Sequence, residues 1–89
     1  MTWGIELAEE ARKELARLDK PIARRIVAFL RERLAALDDP RSIGTALKGQ
    51  RLGGLWKYRV GDWRIIASIE DDLVRILVVR IGNRRDVYR

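Results

Sequence analysis

Hydrophobic positions near the start of the chain change from a strand-like to a helix-like spacing. Trp3, Ile5 and Leu7 alternate with polar or small residues, which predicts a short, half-buried strand. Over residues 8–18 the apolar positions recur every three or four residues, which is typical of one face of a helix. The first elements are therefore predicted to be a strand followed by a short helix.

A second helix is predicted to begin at Asp19, because its carboxylate can cap free N–H groups and Pro21 is tolerated in a first turn. Its apolar stripe consists of Ile22, Ile26, Phe29, Leu30, Leu34 and Leu37. Arg33 falls inside this stripe on a helical wheel, so we expect its side chain to reach solvent or an acidic neighbour. Pro40 ends the helix, and the two helices form a hairpin.

The second half of the chain carries strand-like patterns. Residues 55–60, 63–70 and 73–81 each predict a strand, joined by the two-residue connections Gly61-Asp62 and Asp71-Asp72. Short connections favour an antiparallel meander. The last strand is apolar on both faces, which indicates a central or doubly covered position.

The segment 40–54 separates the two halves and is rich in glycine, which predicts a long loop tied down at a few points. The element order predicts an α+β fold: an N-terminal strand, a two-helix hairpin and a three-stranded antiparallel meander, with the helices packed on one face of the sheet. The length of 89 residues predicts a single domain over residues 1–89.

Composition narrows the chemistry that this domain can perform. The sequence has no Cys and no His, which excludes disulfides, thiolate nucleophiles and imidazole catalysis. Any catalysis must then use Lys, Arg, Tyr or carboxylates. No apolar run is long enough for a membrane span, and the N-terminus does not look like a signal peptide, so we expect a cytoplasmic protein.

Positive charge is concentrated in the second half. The chain has a net charge of +6, and residues 46–89 carry ten basic and five acidic side chains. Fifteen of the nineteen cations are Arg, whose planar fork suits phosphate, although a GC-rich genome would also favour Arg. A polyanionic partner is the expectation.

Three cations of the predicted meander are expected to share one face. Alternation along the strand 55–60 places Lys57 and Arg59 on the same side, and a two-residue turn pairs Arg59 with Arg64. Because like charges directly opposite one another are destabilising, their grouping indicates an anion site. The alternative is that all three are ordinary solvated residues of a sheet surface.

The C-terminal tail adds two arginines and an aromatic ring to the same basic half. Arg84 and Arg85 could hold phosphate while Tyr88 stacks on an unpaired base. The alternative is a solvated terminus in which Tyr88 packs on the edge of the sheet.

Three segments carry a resemblance to a known family: 47–49 (LKG), 55–66 (LWKYRVGDWRII) and 81–88 (IGNRRDVY). Their order and spacing resemble the RelE branch of the RelE/ParE toxin family, over essentially the whole chain. The resemblance implies a ribosome-dependent endoribonuclease that cuts mRNA in the decoding site and needs no metal or organic cofactor. In that reaction a ribose 2′-hydroxyl attacks the adjacent phosphate.

The resemblance also implies roles for individual residues. Lys57 matches the proposed general base and Arg59 a second cation that is often Lys, whereas Arg64 matches the arginine on the scissile phosphate. Arg84 matches the arginine near the leaving oxygen, and Tyr88 the tyrosine that stacks on a base. Arg59 stays protonated, so Lys57 is the one basic candidate. Further RNA-binding candidates are Lys48, Arg51, Arg85, Arg24 and Arg31.

Two other functions stay open on the sequence alone. ParE-like toxins share the fold and poison DNA gyrase, but they generally lack the full set of Lys, Arg and Tyr residues. A non-catalytic nucleic-acid-binding module would use the same charge without cutting. The family further implies an antitoxin partner with an acidic, amphipathic segment, and ribosome and mRNA as the other partners.

Overall fold

Five strands form one sheet in the computed structural model, which describes residues 2–50 and 52–83. The strands are β1 (Gly4–Leu7), β2 (Thr45–Ala46), β3 (Trp56–Val60), β4 (Trp63–Glu70) and β5 (Arg75–Asn83). They lie in the order β1-β5-β4-β3-β2, with β1 parallel to β5 and the other neighbours antiparallel. The predicted α+β class and the interior position of the last strand are confirmed.

Two helices follow β1. Helix α1 spans Glu9–Ala16, and helix α2 spans Lys20–Ala28 and continues as a π-helical turn over Phe29–Leu34. Asp19 occupies the N-cap position of α2, but its carboxylate makes no capping hydrogen bond, so the predicted cap is wrong. Asp19 is exposed, and water can serve the free N–H groups at such an end. Within the described ranges, no helix is long and apolar enough to cross a membrane.

The π-helical turn moves Arg33 out of the apolar stripe. The N–H of Ala35 donates to the carbonyl of Leu30, five residues back, at 2.9 Å, so this turn holds one residue more than an α-helical turn. Leu30, Leu34 and Ala35 are buried, whereas Arg33 is exposed. The expected access of Arg33 to solvent is confirmed, but its place in the stripe is not, because a helical wheel assumes a constant period.

The segment 40–54 is more regular than the predicted loop. It contains a 3₁₀ turn (Pro40–Ile43) and strand β2, which adds a fifth strand beside β3. The prediction of four strands was therefore one short. Two residues are too few for an alternating pattern to be recognised, so the sequence carried no signal for β2.

The connection between β4 and β5 is longer than the predicted two residues. A 3₁₀ turn (Asp71–Leu73) is followed by Val74 in the left-handed region, with φ of 47°, and β5 begins only at Arg75. Leu73 and Val74, expected inside the strand, are exposed. The carbonyl of Val74 accepts the N–H of Gly4 at 2.9 Å, so this backbone conformation joins the turn to the start of β1.

The hydrophobic core lies between the helices and one face of the sheet. Tyr58 stands at its centre, with its ring 6.0 Å from that of Phe29 and its hydroxyl donating to the carbonyl of Pro40 at 2.8 Å. The buried cluster comprises Trp3, Ala11, Ile26, Leu30, Leu34, Tyr58, Ile65, Ala67, Ile76, Val78 and Ile81. The helices therefore cover one face of the sheet, as predicted, and do not cover the other face.

Helix α1 covers the edge of β5 beyond the end of β1. The last pair between these two strands is Leu7 with Val78. Further along β5, the Glu14 carboxylate accepts the N–H of Ile81 at 2.9 Å and pairs with the Arg80 Nε at 3.1 Å. A side chain thus supplies the acceptor that a neighbouring strand would otherwise give.

Candidate functional site

The β3–β4 hairpin has the predicted register. Val60 pairs with Trp63, and Arg59 lies directly opposite Arg64. Because side chains alternate along a strand and paired residues share a face, Lys57 stands on the same side as these two arginines. We call this side, which faces away from the helices, the cationic face; it is defined by Lys57, Arg59 and Arg64.

Arg64 is the unusual member of the cationic face. Its side chain is almost buried, since the residue is only 8% exposed. The guanidinium Nη1 donates to the carbonyl of Trp63 at 3.4 Å, and no carboxylate of residues 2–50 and 52–83 forms an ion pair with it. Buried charges are normally paired, so this guanidinium is suited to receive an anion.

The space opposite Arg64 on β5 has no side chain. Gly82 pairs with Arg64, and Asn83 pairs with Trp63 in the last described rung. A residue with a Cβ at position 82 would stand beside the guanidinium on the same face.

Four predicted site residues lie outside the described residues: Arg51, Arg84, Arg85 and Tyr88.

Lys57 and Arg59 differ in their surroundings. Lys57 is half-buried, whereas Arg59 is exposed and its Nε donates to the carbonyl of Gly61 at 3.2 Å. Thr45 of β2 pairs with Lys57 and so stands beside it on the cationic face. Thr45 could not be singled out from the sequence, because the strand that carries it was not predicted.

Two of the other RNA-binding candidates, Arg24 and Arg31, lie on helix α2 and its π-helical turn. Arg24 and Arg31 are exposed on the helical layer, where they line a shallow depression of about 390 Å³ together with Glu32. Lys48 is exposed just after β2. The structure therefore brings Lys57, Arg59 and Arg64 together and places Arg24 and Arg31 in the helical layer.

Arginines at the other end of the sheet have acidic partners. Arg41 binds the Asp71 carboxylate, and Arg75 binds Glu70 at 2.6 Å. These hydrogen bonds from Arg hold the pKa values of Asp71 and Glu70 below their usual range. The guanidiniums of the cationic face lack such neutralising partners among the described residues, so an anion from outside would meet their full charge.

Comparison with known proteins identifies the family of this chain. The family model described as the ParE toxin of type II toxin–antitoxin systems matches residues 5–88. The chain belongs to this toxin family. It is 27% identical over 89 residues to the toxin RelG of Mycobacterium tuberculosis, covering 100% of this chain and 99% of that protein. It is 32% identical over 87 residues to the toxin RelE of the same organism, covering 98% and 87%.

Solved structures share the fold. The RelBE2 toxin–antitoxin complex of Mycobacterium tuberculosis contains a chain that superimposes with a TM-score of 0.84 at 24% identity, covering 97% of this chain and 95% of that one. The RelE–RelB complex of Pyrococcus horikoshii gives 0.72 at 26% identity, covering 97% and 99%. The membership in the RelE/ParE family that the three sequence segments implied is confirmed.

Proposed function

We propose that this type II toxin is a ribosome-dependent endoribonuclease that cleaves mRNA. The observation that carries the proposal is the state of Arg64, which is almost buried, lies opposite Arg59 and has no carboxylate partner among the described residues. A desolvated guanidinium beside a second one favours a phosphate, because both can make charge-assisted hydrogen bonds to its oxygens. The resemblance to RelE toxins indicates that this phosphate is the scissile phosphate of mRNA.

Lys57 acts as the general base in the proposed reaction. Its amine takes the proton of a ribose 2′-hydroxyl, and the O2′ atom then attacks the adjacent phosphorus. The bond from phosphorus to O5′ breaks, and the leaving oxygen takes up a proton from water. The products are a 2′,3′-cyclic phosphate and a free 5′-hydroxyl. Of the three cations on this face, Lys57 is the one that can release a proton, since arginine stays charged.

The two arginines of the cationic face stabilise the transition state. Arg64 binds a non-bridging oxygen of the scissile phosphate, and Arg59 adds positive charge from the opposite strand, where negative charge builds up during attack. Arg84 is proposed to lie near the leaving oxygen, and Tyr88 to stack on a base. This step needs no metal beyond what the ribosome requires, because the chain supplies both the base and the charge.

An antitoxin is the proposed partner of the free toxin. The RelBE2 and Pyrococcus horikoshii structures are of complexes between a toxin and its antitoxin. A net charge of +6 favours a partner whose binding segment is acidic and amphipathic. A short reading frame of that composition next to the gene, whose co-expression restores growth, is the expected finding.

Induced expression followed by mapping of mRNA ends tests the nuclease proposal. Wild type is expected to arrest growth and to produce new 5′-hydroxyl ends on translated messages. Lys57→Ala and Arg64→Ala are each expected to lower the cleavage rate about a hundredfold or more. Arg64→Lys keeps the charge without the planar fork and is expected to be intermediate, which separates lost chemistry from lost folding.

Arg12→Ala serves as the matched control, because Arg12 is an exposed arginine of α1 outside every proposed site. Undiminished cleavage in both Lys57→Ala and Arg64→Ala would refute the mechanism. The matched family model carries the name ParE, which favours gyrase as the second candidate target. Intact mRNA with damaged or relaxed DNA would support that target, and RNA binding without cut ends would support a binding module.

A further inference from the structure

Two arginines flank the turn at the end of the β3–β4 hairpin. Arg59 approaches from the strand, where its Nε donates to the carbonyl of Gly61 at 3.2 Å. Arg25 approaches from α2, and both of its terminal nitrogens lie 3.5 Å from the place that a Cβ of Gly61 would occupy. The two guanidiniums therefore border the same residue, one from the sheet and one from the helix.

Glycine suits this turn because of its backbone conformation. Gly61 has φ of 60°, which a residue with a Cβ rarely adopts, and a Cβ there would make ordinary van der Waals contact with the Arg25 guanidinium. Arg25 thus lies close to the hairpin, although it belongs to the helical layer.

The guanidiniums of Arg64, Arg59 and Arg25 follow one another from the cationic face to this turn. Arg64 lies opposite Arg59, and Arg59 contacts the residue that Arg25 also borders. Within residues 2–50 and 52–83, none of these three arginines forms an ion pair, and Asp62, the acidic residue of the turn itself, is exposed. Three guanidiniums without ion-pair partners among these residues are more than a single phosphate requires.

We propose that Arg25 binds a second phosphate of the RNA strand whose scissile phosphate lies at Arg64 and Arg59. This inference rests on the nuclease proposal and adds a site to it. The second phosphate is a neighbour of the scissile one, and its contacts carry no information about base identity. Binding at this site positions the strand before the reaction, so it contributes mainly to affinity and little to the chemical step.

The test is single-turnover cleavage of mRNA on purified ribosomes with wild type, Arg25→Ala and Arg12→Ala. Arg25→Ala is expected to raise the half-saturating toxin concentration about tenfold and to leave the saturating rate within about twofold. It is also expected to flatten the dependence of binding on salt, because one ionic contact is lost. Arg12→Ala, which removes another exposed arginine from α1, is expected to match wild type.

Messages with one neutral methylphosphonate, placed one nucleotide before or after the cleavage site, identify the contacted phosphate. At one of these positions the neutral linkage is expected to weaken wild type about tenfold but to have no further effect on Arg25→Ala. Additive effects at both positions would overturn the second site, as would wild-type behaviour of Arg25→Ala. A wild-type protein that cuts nothing would instead overturn the nuclease proposal, and this site with it.

Discussion

Tyr58 is a buried side chain whose pKa is shifted by its surroundings. Its ring is buried in the core, and its hydroxyl donates to the carbonyl of Pro40. Burial, opposed in part by the charge of Arg41, raises the pKa of the phenol from 10.0 to about 12. The folded chain therefore keeps this proton at pH values where the unfolded chain releases it.

The free energy of unfolding should consequently fall as the pH rises from 10 to 12. The raised pKa stabilises the fold fully below pH 10, and the contribution of roughly 2–3 kcal/mol is lost as the phenol titrates. Tyr58→Phe should lose about 1–2 kcal/mol near pH 8, because the carbonyl of Pro40 loses its donor, yet should lack this alkaline component. Urea unfolding of both proteins from pH 8 to 12 measures the difference, and parallel curves would contradict the assignment.

The environment of Arg64 could be predicted from the sequence only in part. The two-residue turn fixed its place opposite Arg59, because opposed positions in a hairpin follow from the length of the turn. Its burial and the glycine across from it on β5 depend on the register between β4 and β5. That register includes an irregularity at Ile66 and Ala67, which no local pattern encodes.

The connection between β4 and β5 contains a strained position. Val74 has φ of 47°, which is unfavourable for a β-branched residue, while its N–H donates to Asp71 and its carbonyl accepts from Gly4. The two hydrogen bonds hold this backbone conformation in place. The strain is therefore the cost of joining the turn to the first strand.

Val74→Asn is expected to raise the free energy of unfolding by about 1 kcal/mol, because asparagine adopts positive φ more readily than valine. Val74 is 37% exposed, so little burial is lost. Leu73→Asn is the control, since Leu73 is also exposed but has an ordinary φ. This variant should change the free energy of unfolding by less than about 0.5 kcal/mol. Equal effects of the two variants in urea unfolding would show that backbone strain is not the cause.

Helices and long strands were predictable because each presents several turns or alternations of apolar positions. β4 has the predicted bounds, and α2 begins where the Asp19 and Pro21 signals placed it. The π-helical turn and β2 were not predictable. The first depends on how a helix accommodates the packing of Leu34 and Ala35, and the second on pairing with a distant strand.

The two sides of the molecule carry positive charge in different ways. On the sheet, the cationic face is compact and includes an almost buried guanidinium. On the helices, Arg24 and Arg31 are exposed around a shallow depression. An RNA-rich particle that surrounds the toxin would meet both sides, so we expect the helical side to contribute to docking and the sheet to chemistry.

Reversal of charge at both Arg24 and Arg31 to Glu is therefore expected to weaken co-sedimentation with ribosomes about tenfold or more at physiological salt. The matched control is the double reversal of Arg12 and Arg17 to Glu on α1, which changes the net charge equally and alters exposed positions. The same loss in both double variants would mean that only net charge matters. No loss in the first would remove the helical side from ribosome docking.

The Glu14 carboxylate has a consequence for how copies of this chain behave at high concentration. A strand with a bare flank invites a strand from another molecule to add to it, and chains of such additions lead to aggregates. At Ile81 that flank is already occupied by an acidic side chain, whose carboxylate accepts the N–H that a foreign backbone would need. One carboxylate thus discourages this toxin from polymerising along β5.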